Sequence, residues 1–219
     1  MNTEKKYYCI EAILLAAGKS SRFNDIKQLT FVDKKPMLVG TVEMLKQANF
    51  NSITVVLGAN ASNVENVLQQ LSLEPALGVN RFPSVTSIIA HKWQQGMGAS
   101  IAAGVTNLAQ EITHVFIGLT DQVEIRSEQC NIMVMESRKN PNKIVAAFYN
   151  GKLGAPAIFP KAYFAELALL ENDKGARNIL RANATAIISI DMPEAARDID
   201  TKKDLLSYES NTQTQQSTG

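Results

Sequence analysis

Apolar residues along this chain fall into short unbroken runs separated by stretches of helical spacing. CIEAILL (Cys9–Leu15), SITVVL (Ser52–Leu57), THVFIGL (Thr113–Leu119) and KIVAAFY (Lys143–Tyr149) are apolar throughout most of their length, the pattern of strands buried on both faces. Between them the period changes. Pro36 opens a helical pattern carrying Leu38, Val42 and Leu45 on one face. Val64, Val67 and Leu68 mark a second helix, Ile101, Val105 and Leu108 a third, and Ile132, Met133 and Met135 a fourth. Strands alternating with helices predict an α/β fold with a mostly parallel central sheet and helices on both faces.

The segment NGKLGAPAIFP breaks this rhythm. A glycine turn followed by a short apolar strand predicts a hairpin, a small antiparallel addition near a site. Helices over 161–170 and 175–182, a strand over 186–190 and a short element in RDIDTKKDLL follow. The closing SYESNTQTQQSTG is polar and predicts a disordered tail. The expectation is one domain over 1–206 and a tail over 207–219.

Composition narrows the function without naming it. The chain has 219 residues, a formal net charge of +1 and 45% hydrophobic content, so bulk electrostatics do not point to nucleic acid. Two cysteines, Cys9 and Cys130, make neither a disulfide framework nor a metal cluster and fit a reducing compartment. No signal-peptide pattern and no run of membrane-spanning length is expected, which reads as a soluble cytoplasmic protein with no membrane partner. His91 and His114 do not pair as metal ligands, and His114 reads as a satisfied core residue.

In an open parallel sheet, ligands bind beyond the carboxyl ends of the strands. Three features fall at such ends: AAGKSSRF, GAN and TDQ. In the first, Gly18-Lys19-Ser20 resembles the end of a Walker A loop, but Ile13 stands where that motif needs glycine. Leu15, Ala16, Ala17 and Gly18 nevertheless let a ligand approach the backbone, and Lys19, Arg22 and Lys27 bring three cations to one loop. A triphosphate whose pyrophosphate is leaving needs such charge. Gly58 of GAN and Gly98 and Ser100 of GMGASI complete the candidate nucleotide-binding positions, with Ser100 expected to cap the following helix.

Asp121 follows an apolar strand, as a Mg²⁺ ligand often does, and equally as a turn-forming aspartate does. Asp198 and Asp200 would share a face if their segment is a strand; a solvated turn is the alternative. Lys174, Arg177 and Arg181 share a helical face suited to an acceptor phosphate, though the bare pattern reads first as a solvated basic surface.

Taken together, these residues resemble the molybdenum cofactor cytidylyltransferase group within the MobA-like nucleotidyltransferases. That family opens L-A-A-G-x-S-x-R-x-G-x-x-K-Q-L, and this chain has LAAGKSSRFNDIKQL from Leu15 to Leu29. The G-M-G-x-S loop is Gly96 to Ser100, the D-Q-P stretch is Asp121-Gln122-Val123, D-K-G-A-R is Asp173 to Arg177, and D-I-D-T is Asp198 to Thr201. The resemblance implies a three-layer Rossmann-like fold and Mg²⁺-dependent transfer of CMP from CTP to the terminal phosphate of molybdopterin, with release of pyrophosphate. It also implies that Asp121, with Asp198 or Asp200, holds the metal and that Lys174 and Arg177 meet the acceptor phosphate.

Guanylyl-transferring relatives read L-A-G-G at the first turn, so Ala17 favours CTP by analogy. The sequence departs from the family at Asn24, in place of a loop glycine, at Val123, in place of proline, and at Ala155, in place of a histidine in G-H-P. Two other readings stand beside this one: a nucleotidyltransferase using a sugar phosphate or other small phosphate, and a non-catalytic nucleotide-binding chaperone for a molybdoenzyme.

Overall fold

The computed structural model describes residues 7–23, 25–72 and 83–216. In chain order its elements are β1 (Ile10–Ala16), β2 (Phe31–Val32), β3 (Lys35–Pro36), α1 (Met37–Lys46), β4 (Ser52–Leu57), α2 (Ala61–Ser72), β5 (Ser84–Ile89) and α3 (Met97–Thr106). There follow β6 (His114–Leu119), α4 (Ser127–Lys139), β7 (Val145–Tyr149), β8 (Lys152–Pro160), α5 (Phe164–Ala168), α6 (Arg177–Ala182), β9 (Ile188–Asp191) and α7 (Lys202–Gln216).

Seven strands form one sheet in the order β5-β4-β1-β6-β8-β7-β9, and β2 pairs with β3 as a separate two-stranded sheet. Neighbours in the large sheet are parallel except on both sides of β8. The expected hairpin is therefore present, with β8 inserted antiparallel between β6 and β7. Its turn carries Asn150 and Gly151 at φ of 49° and 71°, a pair of positive angles that suits a two-residue hairpin loop.

The sheet is covered on both faces, which makes three layers. On β1, Ile10, Ala12 and Leu14 join one core with Leu38, Val42 and Leu45 of α1, Val64 and Leu68 of α2, and Cys130, Met133 and Val134 of α4. Ile13 and Leu15 point the other way, into a core with Ile101 and Val105 of α3, Leu167 of α5, and Ile179 and Leu180 of α6. All seven residues of β1 are buried, the reason that its sequence is nearly all apolar.

A third, smaller cluster of Phe23, Val32, Met37 and Ile199 lies under the first loop, with Val123, Leu205 and Tyr208 against it. It explains why the C-terminal stretch departs from expectation. Residues 207–216, predicted to be disordered, continue α7 as far as Gln216. Asp204 caps the start by accepting from the Thr201 N–H at 2.7 Å, and the Tyr208 hydroxyl donates to Asp33 at 2.6 Å. Residues 217–219 lie outside the described part.

Two other expectations change. In α4, Ile132 and Met135 are exposed, and the buried stripe is Cys130, Met133, Val134 and Ser137. Strand β5 was not predicted. His114 is a core residue as expected, with Nδ1 2.8 Å from the Thr113 hydroxyl and Nε2 3.0 Å from the Pro141 carbonyl. No helix among the described residues is long and apolar enough to cross a membrane.

Candidate active site

The sheet order places the site. The chain lays β4 and then β5 on one side of β1, then crosses to lay β6 on the other. The carboxyl ends of β1 and β6 therefore flank the reversal point, where an open α/β sheet leaves a crevice. A cleft of about 630 Å³ opens there, lined by the whole loop from Leu15 to Arg22, by Lys27 and Gln28, by Trp93 and Ser100, and by Asp121 and Asp200.

The loop is open on the cleft side. A side chain at Gly18 would meet nothing within 4 Å, so the space beside this backbone is not filled by protein. Ser20 takes the left-handed conformation at φ 57°. The Phe23 N–H returns to the Ser20 carbonyl at 2.9 Å, and the buried Phe23 ring anchors the loop's far end. Asn24, expected to replace the family's loop glycine in a left-handed turn, lies outside the described residues.

Lys27 is the electrostatic hub. Its ammonium lies 2.7 Å from Asp121 Oδ2 and 2.9 Å from Asp200 Oδ1, and Arg22 contacts the other Asp200 oxygen at 3.0 Å. Burial pushes the Lys27 pKa down, but the two carboxylates outweigh it and hold the ammonium above its ordinary value. Burial likewise pushes Asp200 up, and the two cations more than offset that, leaving it below the usual carboxylate range. Asp198 differs: burial, aided by the charges of Asp121 and Asp200, raises its pKa.

Among the described residues no three His, Cys, Asp or Glu side chains converge as a metal cage. Asp121 and Asp200 flank Lys27, whereas Asp198 lines a neighbouring pocket, and residues 198–200 do not form a strand. Of the two readings of this segment, strand or turn, the structure shows no strand. Asp121 is the residue that fits a divalent cation: its Oδ1 is buried and has no hydrogen-bond partner. A Mg²⁺-type ion takes one or two carboxylates and fills its shell with water and phosphate oxygens, so one free carboxylate oxygen beside a phosphate-sized cleft suits it.

The second pocket, about 270 Å³, adjoins the cleft along Leu15, Met97 and Leu119. Lys174, Arg177, Asp198, Tyr149 and Ala155 line it. The expected cationic pair is therefore together, while Arg181 is exposed in the last turn of α6 and does not line this pocket. Gln122, buried at the junction, donates to the Ala155 carbonyl at 3.0 Å and the Ala195 carbonyl at 2.9 Å. It staples the hairpin to the segment that leads to Asp198 and Asp200. Val123 packs beside the Phe23 cluster, and Ile199 donates its N–H to the Asp121 carbonyl at 3.1 Å.

Two sequence-predicted positions serve the site from behind. Gly58 is pressed against Ala17 and Trp93, where a Cβ would meet the Ala17 carbonyl oxygen at 2.6 Å. Gly98 is pressed against Glu171 and donates its N–H to the Asn172 carbonyl at 2.8 Å. Neither lines the cleft; each lets another segment close on it. Ser100 does line the cleft, but it lies inside the first turn of α3, whose N-cap is Gly96 and has no side-chain cap. Gln28 and Trp93 line the cleft without having been singled out from sequence.

Comparisons with known proteins identify the family and the fold. The family model described as a MobA-like NTP transferase domain matches residues 12–187. Rv0371c of Mycobacterium tuberculosis is similar at a TM-score of 0.73 and 23% identity, covering 92% of this chain and 97% of its own; a second structure of it is a complex with manganese. A nucleotidyl transferase from Methanothermobacter is similar at a TM-score of 0.73 and 16% identity, over 93% of this chain and 97% of that one. Molybdopterin-guanine dinucleotide biosynthesis protein A from Archaeoglobus fulgidus is similar at a TM-score of 0.62 and 14% identity, over 93% and 99%. No curated protein matches the chain. With its family model spanning most of the sheet and the phosphate-sized cleft at the sheet's reversal point, the chain belongs to the MobA-like NTP transferase family and is a nucleotidyltransferase.

Proposed function

We propose that this protein transfers CMP from CTP to the terminal phosphate of molybdopterin in a Mg²⁺-dependent reaction. The observation that carries this reading is the position of Asp121. It has a buried, unpartnered carboxylate oxygen and stands beside the open loop and the Lys27 ammonium at the head of β6. Ala17, in place of the first glycine of L-A-G-G, favours CTP by analogy.

In this scheme an acceptor phosphate oxygen attacks the α-phosphorus, the bond from α-phosphorus to the bridging oxygen breaks, and pyrophosphate leaves with the electron pair. Lys19, Arg22 and Lys27 offset the charge that grows on the leaving group. Lys174 and Arg177 hold the attacking phosphate across the Leu15–Leu119 boundary. Asp121, with Asp200 beside it, would hold a Mg²⁺ ion, which would supply charge neutralisation to the phosphate oxygens. No enzyme side chain is needed as a nucleophile, and catalysis is positioning plus electrostatics.

A second acceptor class is favoured by Ala155. The methyl group there offers no polar contact to an acceptor, and the hairpin presents Tyr149 and Lys152 instead. A sugar phosphate meets such a pocket with hydroxyls. Incubating the protein with CTP, GTP or ATP against a panel of molybdopterin and sugar phosphates, and reading pyrophosphate, separates the two. The reading expects release that requires CTP and molybdopterin; release with a sugar phosphate alone transfers the assignment to that class.

A further inference from the structure

We infer that Gln28 is the positioning residue that aims the loop from Ala16 to Ser20 at the triphosphate, an inference that rests on the nucleotidyltransferase reading of this cleft. Gln28 is 3% exposed and spends every polar group of its side chain on that loop. Its Nε2 donates to the Ala16 carbonyl at 2.9 Å and to the Gly18 carbonyl at 2.9 Å, and its Oε1 accepts from the Ser20 hydroxyl at 3.3 Å. A primary amide has two donor hydrogens and one carbonyl oxygen, so both donors and the oxygen are engaged with this loop.

The consequence follows from peptide geometry. In a trans peptide the C=O and the next N–H point in opposite directions. Drawing the Ala16 and Gly18 carbonyls onto Gln28 therefore turns the N–H groups of Ala17 and Lys19 away from it. The Ala17 carbonyl is drawn elsewhere, onto the Ala59 N–H at 3.0 Å, so the peptide between these two is fixed as well. Successive N–H groups held in this way form an anion-binding concavity.

Packing against Gly58 fixes Ala17 at the start of the loop but does not reach its middle, where a side chain at Gly18 would touch nothing. Ser20 additionally holds a left-handed φ of 57°, which a serine does not prefer. Some other group must hold the middle of the loop, and Gln28 is that group. It belongs to the same short turn, Lys27–Leu29, that delivers Lys27 to Asp121 and Asp200. One turn thus sends a cation forward to the carboxylates and an amide back to the loop.

The test compares wild type with Gln28→Met, which keeps length and apolar packing but loses all three hydrogen bonds. Calorimetry measures binding of magnesium tripolyphosphate and of magnesium CTP, and melting temperature is followed in parallel. Both ligands are expected to bind roughly tenfold or more weakly, and by the same factor, because the loop and not the base contact is altered. A merely structural role would lower the melting temperature and leave the folded protein's affinities unchanged. Gln28→Glu, which keeps the shape and the Ser20 acceptor but loses both donors, is expected to lose at least as much.

Affinity of Gln28→Met for tripolyphosphate within twofold of wild type, or a loss confined to CTP, overturns the inference. Should neither variant fold, amide hydrogen exchange on wild type decides: tripolyphosphate should protect the N–H groups of Ala17 and Lys19, and unchanged exchange overturns the inference. Wild type that binds neither ligand fails differently, since it removes the nucleotidyltransferase reading of the cleft and the role of Gln28 with it.

Discussion

The nucleotide side of the cleft and the acceptor side share Leu15, Met97 and Leu119, yet they are held by different means. On the nucleotide side the working surface is backbone, braced from below by Gln28, closed from behind by Gly58 and anchored by the Phe23 ring. Its cations are cross-tied to Asp121 and Asp200. On the acceptor side the surface is side chains, contributed by β7, β8, the start of α6 and the segment before Asp198. Lys174 and Arg177 are exposed there. The first arrangement recognises what every nucleoside triphosphate has in common. The second can change its specificity by exchanging single side chains, as at Ala155, without disturbing the sheet.

The largest effect is expected from Asp121→Ala. Loss of this carboxylate, whose Oδ1 is buried without a hydrogen-bond partner, should lower turnover by about two orders of magnitude or more, the range seen when a key electrostatic group is lost. Pyrophosphate release by this variant near the wild-type rate would break the distinction between a charge-bearing nucleotide side and an adaptable acceptor side.

Lys27→Met comes next. It removes one of the three cations that would offset the charge on the leaving pyrophosphate, so a loss of roughly 10- to 100-fold in kcat/KM for the nucleotide is expected. Its pH dependence has a definite sign. The folded pKa of Lys27 is raised, so the stability it contributes is fully present below its unfolded value of about 10.4 and is lost as pH rises through the folded value. Asp200 is lowered, so its contribution is present above about 3.9 and is lost as pH falls through its folded value. The difference in melting temperature between wild type and Lys27→Met should therefore be level across neutral pH and shrink only at the two extremes. A difference that collapses near neutrality would contradict the Lys27 tie.

Gly98→Ala sharpens the role of the closing glycines. A Cβ there would lie 2.5 Å from the Glu171 carbonyl oxygen, so the 171–173 segment must shift, at a cost of about 1–3 kcal/mol in denaturant unfolding. An unchanged stability would show that this segment does not depend on close approach.

The smallest effect belongs to Arg177→Ala. An exposed cation contributes about 1 kcal/mol or less, so the acceptor KM should rise by roughly fivefold while the nucleotide KM stays put. A change in the nucleotide KM instead would merge the two sides into one site.

How much of this was legible in the sequence follows the same division. The double-sided burial of β1, β4 and β6 left unbroken apolar runs, and the loop after β1 is a local motif whose small residues and cations are contiguous. Strand β5 was missed because it is the sheet edge: polar Ser84, Thr86 and Ser87 interrupt its apolar residues, so this half-exposed strand carries no long apolar run. In α4, two apolar side chains, Ile132 and Met135, point outward, so spacing alone found only Met133 of the buried stripe. Asp198 and Asp200 could not be assigned to separate pockets, because that depends on a segment outside any strand.

Gln28 and Gln122 stood inside quoted motifs, KQL and DQV, but their roles were not legible, because each acts on backbone carbonyls ten or more residues away. Ser100 looked like a cap because Gly96 and Gly98 looked like the end of a loop; in the fold, the helix has already begun.

The central claim is that the cleft at the ends of β1 and β6 binds a nucleoside triphosphate with a divalent cation. Calorimetric titration of the wild-type protein with CTP, GTP and ATP in the presence and absence of Mg²⁺ tests it most directly. The account predicts saturable, Mg²⁺-dependent binding with CTP the tightest of the three, and the loss of that Mg²⁺ dependence in Asp121→Ala. Binding of none of the three nucleotides, with or without Mg²⁺, would contradict it.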